Sequence, residues 1–296
     1  MAGVVIKSDV KPLRVPSVTP DISDGLVCSC DFRCDYTELA FGHSSYDGVK
    51  NDFSQFLFKK VTPFDTINLE LLRYGVKVAD LNNNDLGTYY PTFDAQPLYV
   101  GFVVDWTEVF LNFTGGIYEV KASKITLGVY SEETSHKYRL NAYDSVSARD
   151  TVKITSIQDG YFQDGSFDYR DLIPGGWVHS MRVRGSFGGF EPSIDRDIYL
   201  DSSFRDVQNR DTVTPEYKLV CDYMPENIFE GLSTNDFLGN QIEVTSYHLF
   251  QTKKYIKHPV VIESISDVVP DQYGRSKFTA VFTDRKKNII KLNSRF

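Results

Sequence analysis

Three cysteines on one short stretch, Cys28-x-Cys30-x3-Cys34, are the first residues in this 296-residue chain whose type could hold a metal, because thiolates are soft, strong ligands. Their spacing argues against it. Zinc cysteines are paired on a turn so that the sulfurs converge on one tetrahedron. Here Leu26, Cys28, Cys30, Phe32 and Cys34 alternate with Val27, Ser29, Asp31, Arg33 and Asp35, the period of two that marks a half-buried strand. A strand spreads its sulfurs along its length, and free cysteine is among the most buried residue types, so the expectation is a core strand without a metal. A zinc site completed by Cys221 or His43 is the alternative.

The other reactive types give no signature. Asp159, Asp164 and Asp168 make an oxygen-rich loop, but they do not follow the Asp-x-[Asp/Asn]-x-[Asp/Asn]-Gly order of a calcium loop, and turn chemistry accounts for them; Asp267 and Asp271 read the same way. None of the five histidines (His43, His136, His179, His248, His258) lies in a nucleophile elbow or another local signature. Glycosidase carboxylates need only be close in space, so 40 acidic residues leave that chemistry open. The glycine-rich run Arg184-Gly185-Ser186-Phe187-Gly188-Gly189 precedes no helix that would offer amides to a phosphate. No catalytic residue and no cofactor are assigned. The aromatics Tyr89, Tyr90, Phe93, Tyr99, Trp106, Tyr161 and Phe162 could stack on sugars, although packing two sheets together explains them more simply.

The elements around these residues read as strands. The segment from Asn82 to Lys121 joins an asparagine-rich turn, a tyrosine pair, an apolar strand ending in Val103-Val104-Asp105-Trp106, and a Gly115-Gly116 turn that sends the chain back. It is read as a hairpin, with Trp106 buried and the tip from Asn82 to Tyr90 exposed to a neighbour. Further strands are expected at 53–60, at 66–73 and 76–81 as a tight hairpin around Tyr74-Gly75, at 137–143 and at 151–157. A second set covers 177–187, ended by Gly188-Gly189, then 216–223, 241–247, 255–264 and a last hairpin over 277–292 turning near 284–288. Pro225 at a first helical position, Glu226 beside it, and Ile228, Phe229 and Leu232 on one face predict a short helix over 225–232.

The fold class is therefore mainly β, with two antiparallel domains of sandwich or barrel type, the second with one short helix. The expected divisions are an extended N-terminal arm over 1–25, a β-sandwich domain over 26–157, a linker over 158–176, and a barrel-like domain over 177–296. Pro12, Pro16 and Pro20 disfavour helix in the arm. A net charge of -8 argues against a dedicated nucleic-acid binder, while leaving room for DNA to pass without being gripped. No stretch has the length of apolar residues that spans a bilayer, so no membrane partner is expected. The start of the chain lacks a signal-peptide core, which makes cytoplasmic synthesis the expectation and the sequon Asn112-Phe113-Thr114 incidental.

The run Leu81-Asn82-Asn83-Asn84 through Gly87-Thr88-Tyr89-Tyr90, then Leu98-Tyr99-Val100-Gly101-Phe102, Asp105-Trp106 and Gly116-Ile117-Tyr118, resembles virion structural proteins of tailed bacteriophages that infect Bacteroidota, crAss-like phages included. The stretch Tyr217 to Val244 is also similar to β-barrel subunits from which phage tail rings are built. The resemblance implies a tail, neck or baseplate subunit without enzymatic activity, made in the host cytoplasm and residing in the virion. Its implied partners are copies of itself in a ring, other tail or neck proteins, and DNA passing through the lumen without sequence-specific binding. Pro12, Pro16, Pro20, Asn83, Tyr89 and Tyr90 are the candidate subunit contacts. Elemental analysis of the purified protein is expected to return zinc well below one atom per chain; stoichiometric zinc would replace the core-strand reading of the cysteines with a metal site.

Overall fold

The computed structural model describes residues 5–8, 37–42, 52–59, 66–83, 85–90, 99–126, 129–144, 147–158, 177–200, 203, 206–225, 229, 232–233, 237, 239, 241–246, 255–271, 275–285 and 289–290. It is mainly β, as the alternation of the sequence demands. The expected strand at 26–35, with its three cysteines, lies outside the described residues.

The first body is a sandwich of two sheets. One sheet runs in the order β1 (Val5–Ser8), β3 (Phe53–Lys59), β7 (Tyr99–Asp105), β6 (Gly87–Tyr90). The other runs β2 (Thr37–Gly42), β10 (Lys137–Ala142), β8 (Gly116–Thr126), β4 (Thr66–Arg73), β5 (Val76–Asp80), with β9 (Val129–Thr134) on the far half of β8. Among the described pairings of this body only β2 with β10 is parallel. Ile67, Leu69 and Leu71 of β4 are buried in one cluster with Val100, Phe102 and Val104 of β7, so period-two patterning on both sheets makes one core. The β4–β5 hairpin turns as expected: Tyr74 and Gly75 both take positive φ, 52° and 77°, the pattern of a tight hairpin whose twist matches its strands. Asn82 ties the turn that follows β5 to the sheet by imitating a backbone. Its Oδ1 accepts from the Leu69 N–H at 2.6 Å and its Nδ2 donates to the Ile67 carbonyl at 2.9 Å.

The apolar run after β7 is not hairpin strand. Trp106–Phe113 is an α-helix, α1, and the reason is local. Asp105 is its N-cap, accepting from Thr107 N–H at 2.8 Å and Glu108 N–H at 3.4 Å, and Glu108 adds an acidic residue to the first turn. Trp106, Val109, Phe110 and Phe113 then fall at helical spacing and pack on the first core. The helix ends with Thr114 at φ 65°, its N–H returned to the Phe110 carbonyl at 2.8 Å.

The second body is a closed barrel. Its six strands are ordered β12 (Trp177–Leu200), β11 (Thr151–Gln158), β14 (Gln241–Ser246), β15 (Tyr255–Pro270), β16 (Arg275–Asp284) and β13 (Asp206–Pro225), and β13 closes the ring by pairing back onto β12. Closure removes open edges, and Gly185 permits it, since a Cβ there would run into the Val220 carbonyl of β13. Met181, Val183, Phe187, Leu219, Phe278 and Phe282 fill the interior.

The barrel differs from the sequence reading in four places. β11 hydrogen-bonds to β12 and β14, so sheet membership changes at the 3-10 turn Ser147–Asp150, ahead of the expected linker, of which 159–176 lie outside the described residues. β12 runs on past Gly188-Gly189 through a bulge, because its partner β13 continues beside it. Pro225 ends β13 opposite Arg275; Phe229 is helical and Leu232-Ser233 lie in a π-turn, while the rest of 225–232 apart from Pro225 is outside the described residues. Finally, β17 (Ile289–Ile290) pairs with Asp211 and Thr212 of β13, so 277–292 is not a hairpin.

Replacing Asp105 with Ala is expected to cost about 1 kcal/mol in a urea titration, by leaving first-turn amides of α1 uncapped. No measurable loss would show that the cap does not hold the helix.

Candidate functional site

β11 and β12 bring two cations face to face. Lys153 and Arg182 are directly opposite in the register, a like-charge pair that destabilises a sheet on its own, and both are buried. The compensating anion comes from the first body. Asp52, immediately before β3, meets Arg182 in a bidentate pair, accepting from Nε through Oδ2 and from Nη2 through Oδ1, each at 2.7 Å. Lys153 Nζ lies 3.6 Å from the same Oδ1. Arg182 Nη1 donates to Thr151 Oγ1 at 3.1 Å, and the guanidinium carbon sits 4.9 Å over the Phe41 ring of β2.

Side-chain acceptors of the first body also close the exposed edge of β12. The Ser180 N–H donates to Gln55 Oε1 at 3.2 Å and the Arg182 N–H to Glu38 Oε1 at 3.3 Å. Glu38 is in turn bonded to His136, Oε2 to Nε2 at 3.0 Å, and the imidazole lies 4.4 Å from the Tyr138 ring. Asp52 extends the seam to α1: its carbonyl accepts the Trp106 N–H at 3.1 Å, one of the amides a helix start leaves unpaired, while its Oδ2 accepts the Phe41 N–H at 2.9 Å. Trp106 Nε1 donates to Ser54 Oγ at 2.9 Å.

Burial by itself pushes the Asp52 carboxyl up, but the Arg182 and Lys153 charges with the hydrogen bonds from Arg182 and Phe41 outweigh it and hold the group below the usual carboxylate range. Burial lowers the Lys153 ammonium, an effect the neighbouring Asp52 only partly reverses. The cleft between Glu38, Asp52, Trp106, Ser180 and Arg182 has no room for a water molecule. A carboxylate held ionised by a forked guanidinium in a cleft this narrow acts as a cross-brace between two bodies.

A second cluster sits at the barrel rim. His258 Nε2 lies 2.8 Å from Asp284 Oδ1, and the Tyr217 phenol, pushed up to about 12 by burial and then by Asp284, lies beside them. The nearby Thr283 hydroxyl donates to Glu263 at 3.0 Å, so it is not turned toward the imidazole as a nucleophile would be. Cys221 is buried and unbridged, its thiol pushed up by burial and Asp222. Among the described residues no group of three His, Cys, Asp or Glu could hold a metal. Asp271 does turn work, accepting from Arg275 N–H at 2.9 Å and Nε at 2.7 Å.

Of the residues expected at subunit contacts, Pro12, Pro16 and Pro20 lie outside the described residues, and Asn83 ends the 3-10 turn Leu81–Asn83. Tyr89 and Tyr90 are on β6, the edge of the first sheet. Within the expected tip Asp85 and Thr88 are exposed, whereas the two tyrosines are less so. Both tyrosines are half-buried, and Tyr89 packs on the first core, its ring 6.4 Å from Phe102, because strand parity turns it inward. Burial raises its phenol pKa, against a hydrogen bond with Asn82 that lowers it. Trp106 is buried as expected, so it is unavailable to stack on a sugar. The seam itself has little trace in the sequence. Arg182 and Arg184 share a strand parity, yet one is buried and the other exposed. Among the described residues no helix is long and apolar enough to cross a membrane. No family model matches the chain, and no curated protein matches it.

Asp52→Asn removes the carboxylate charge that meets two buried cations and is expected to cost about 3–5 kcal/mol in a denaturant titration. Exchanging Asp52, Lys153 and Arg182 together for apolar residues of similar size should recover most of that loss. Because the folded Asp52 titrates below its unfolded value of about 3.9, its stabilising share is present above that pH and disappears as pH falls through the folded pKa. Asp52→Asn should therefore flatten the acid-side decline of the unfolding midpoint, and an unchanged acid profile would remove Asp52 from this role.

Proposed function

We propose that this chain is a non-enzymatic structural subunit of a phage virion that assembles with copies of itself into a ring, in the tail or the head–tail connector, around the path of the DNA. The observation that carries this reading is the β12–β13 ribbon. The last rung that β13 shares with β16 is Glu216 with Thr283, but β12 and β13 remain paired from Glu191↔Glu216 to Leu200↔Asp206. At the ordinary rise per strand residue the ribbon reaches about 30 Å beyond that rung.

A two-stranded ribbon is marginal alone in water, and its outer edges carry unpaired amides and carbonyls. Along this ribbon the only further pairing among the described residues is β17 on Asp211 and Thr212. Among the described residues each ribbon thus offers an edge of β12 and most of an edge of β13, and joining one to the other head to tail generates a ring wherever the rotation closes. The net charge of -8 suits a wall past which DNA slides, because like charge repels the phosphates. The seam favours a structural role as well, since the cleft beside Asp52 and Arg182 has no room for a water molecule.

Light scattering and electron microscopy of the purified protein are expected to show closed rings of several copies. A Val207→Pro substitution, which removes an amide near the ribbon tip, should leave the barrel's thermal transition in place while shifting the particles toward monomers. A protein that stays monomeric at tens of micromolar would sink the reading.

A further inference from the structure

β3 has two halves with different tasks. Its first half is pinned. Ser54 accepts the Trp106 indole N–H at 2.9 Å and Gln55 accepts the Ser180 N–H at 3.2 Å, while Asp52 just ahead holds Arg182. Its second half, Phe56 to Lys59, pairs on one side with β7 and on the other with β1, in the register Val5↔Lys59, Ile6↔Phe58, Lys7↔Leu57 and Ser8↔Phe56. Without β1 that outer side is an open sheet edge on a rigid strand, a preorganised site for one more antiparallel strand.

β1 is a short occupant for it. Four rungs hold the strand, and residues 9–36 separate it from β2 in sequence. Residues 9–36 are enough chain to span up to about 90 Å, so β1 can reach a neighbouring copy as well as its own sheet. The receiving edge makes the same backbone hydrogen bonds whether the strand comes from its own chain or from another. Exchange between identical copies therefore loses no contact, and it links each copy to the next.

We propose that the outer edge of β3 at Phe56 to Lys59 is a strand-exchange site whose occupant in the assembly is the Val5–Ser8 strand of a second copy of this chain. The proposal rests on the ring reading for its setting. Each copy donates one strand and receives one, so the exchange closes around the same ring that the ribbons build. The neighbour is anchored on the strand that already braces sandwich to barrel.

The test mixes two singly substituted proteins, Val5→Cys and Lys59→Cys, assembled together and then oxidised. Peptide mass spectrometry distinguishes a disulfide between positions 5 and 59 from any bond to the native cysteines, and in the mixture that disulfide can form only between chains. The doubly substituted protein is the control for register, and the pair Lys7→Cys with Leu57→Cys repeats the test if either variant fails to fold. Expected is the cross-linked peptide in the mixture at a level comparable with the double variant, together with covalent multimers of the double variant on a denaturing gel. A double variant that links only within monomers, with no linked peptide in the mixture, overturns the exchange. Rings seen alongside that negative result would leave the ring reading standing. Interchain links between particles that form only dimers would keep the exchange and remove the ring.

Discussion

Asp52 and Arg182 meet through two hydrogen bonds of 2.7 Å in a seam without room for water, and the relative placement of the two bodies depends on that contact. Burying Lys153 and Arg182 side by side is costly, because two cations opposite each other repel and both are removed from water. The sandwich supplies the missing charge and the missing acceptors. Asp52 offsets one of the two positive charges, while Glu38 and Gln55 accept two edge amides of β12. A seam of this kind adds little net stability compared with apolar packing, but it penalises every arrangement that separates its charges. Its contribution is to fix one docking geometry.

The same contact reaches the helix and the first core. Asp52 lies at the start of β3, so its carbonyl satisfies the first amide of α1 and its carboxylate satisfies an amide of β2. Trp106 packs between Tyr118 and Tyr138, with ring centroids at 6.2 and 4.7 Å, and donates its indole N–H back to β3. Helix start, sheet edge and domain contact thus share one residue. Loss of its charge would be felt in both bodies at once.

Edges are the second constraint. Closure of the barrel hides the edges of six strands, yet the continuation of β12 and β13 past the last rung with β16 opens two again. The sandwich has its own terminal strands in β1, β6, β5 and β2. β2 is covered by α1 and the seam. The others are short, which limits the backbone they offer to unwanted pairing. The long ribbon stands apart from this economy, which is why it carries the assembly reading.

By itself the sequence determined the secondary structure wherever the code was local. Alternation placed β4 over Thr66–Arg73, and Tyr74-Gly75 placed the turn that follows it. The helix at Trp106–Phe113 is equally legible in its cap, Asp105, and in Glu108 of its first turn, which outweigh the strand-like apolar run beside them. Tertiary structure alone decided the rest. Arg182 and Arg184 have the same parity and the same chemistry, and nothing nearby in the chain says that Asp52, 130 positions away, will bury one and leave the other in solvent. The same holds for β11, which joined the barrel, and for β12 and β13, whose polar stretches became a ribbon because each was the other's partner. Strand pairing and charge burial are set by which surfaces meet, and that is a property of the folded chain.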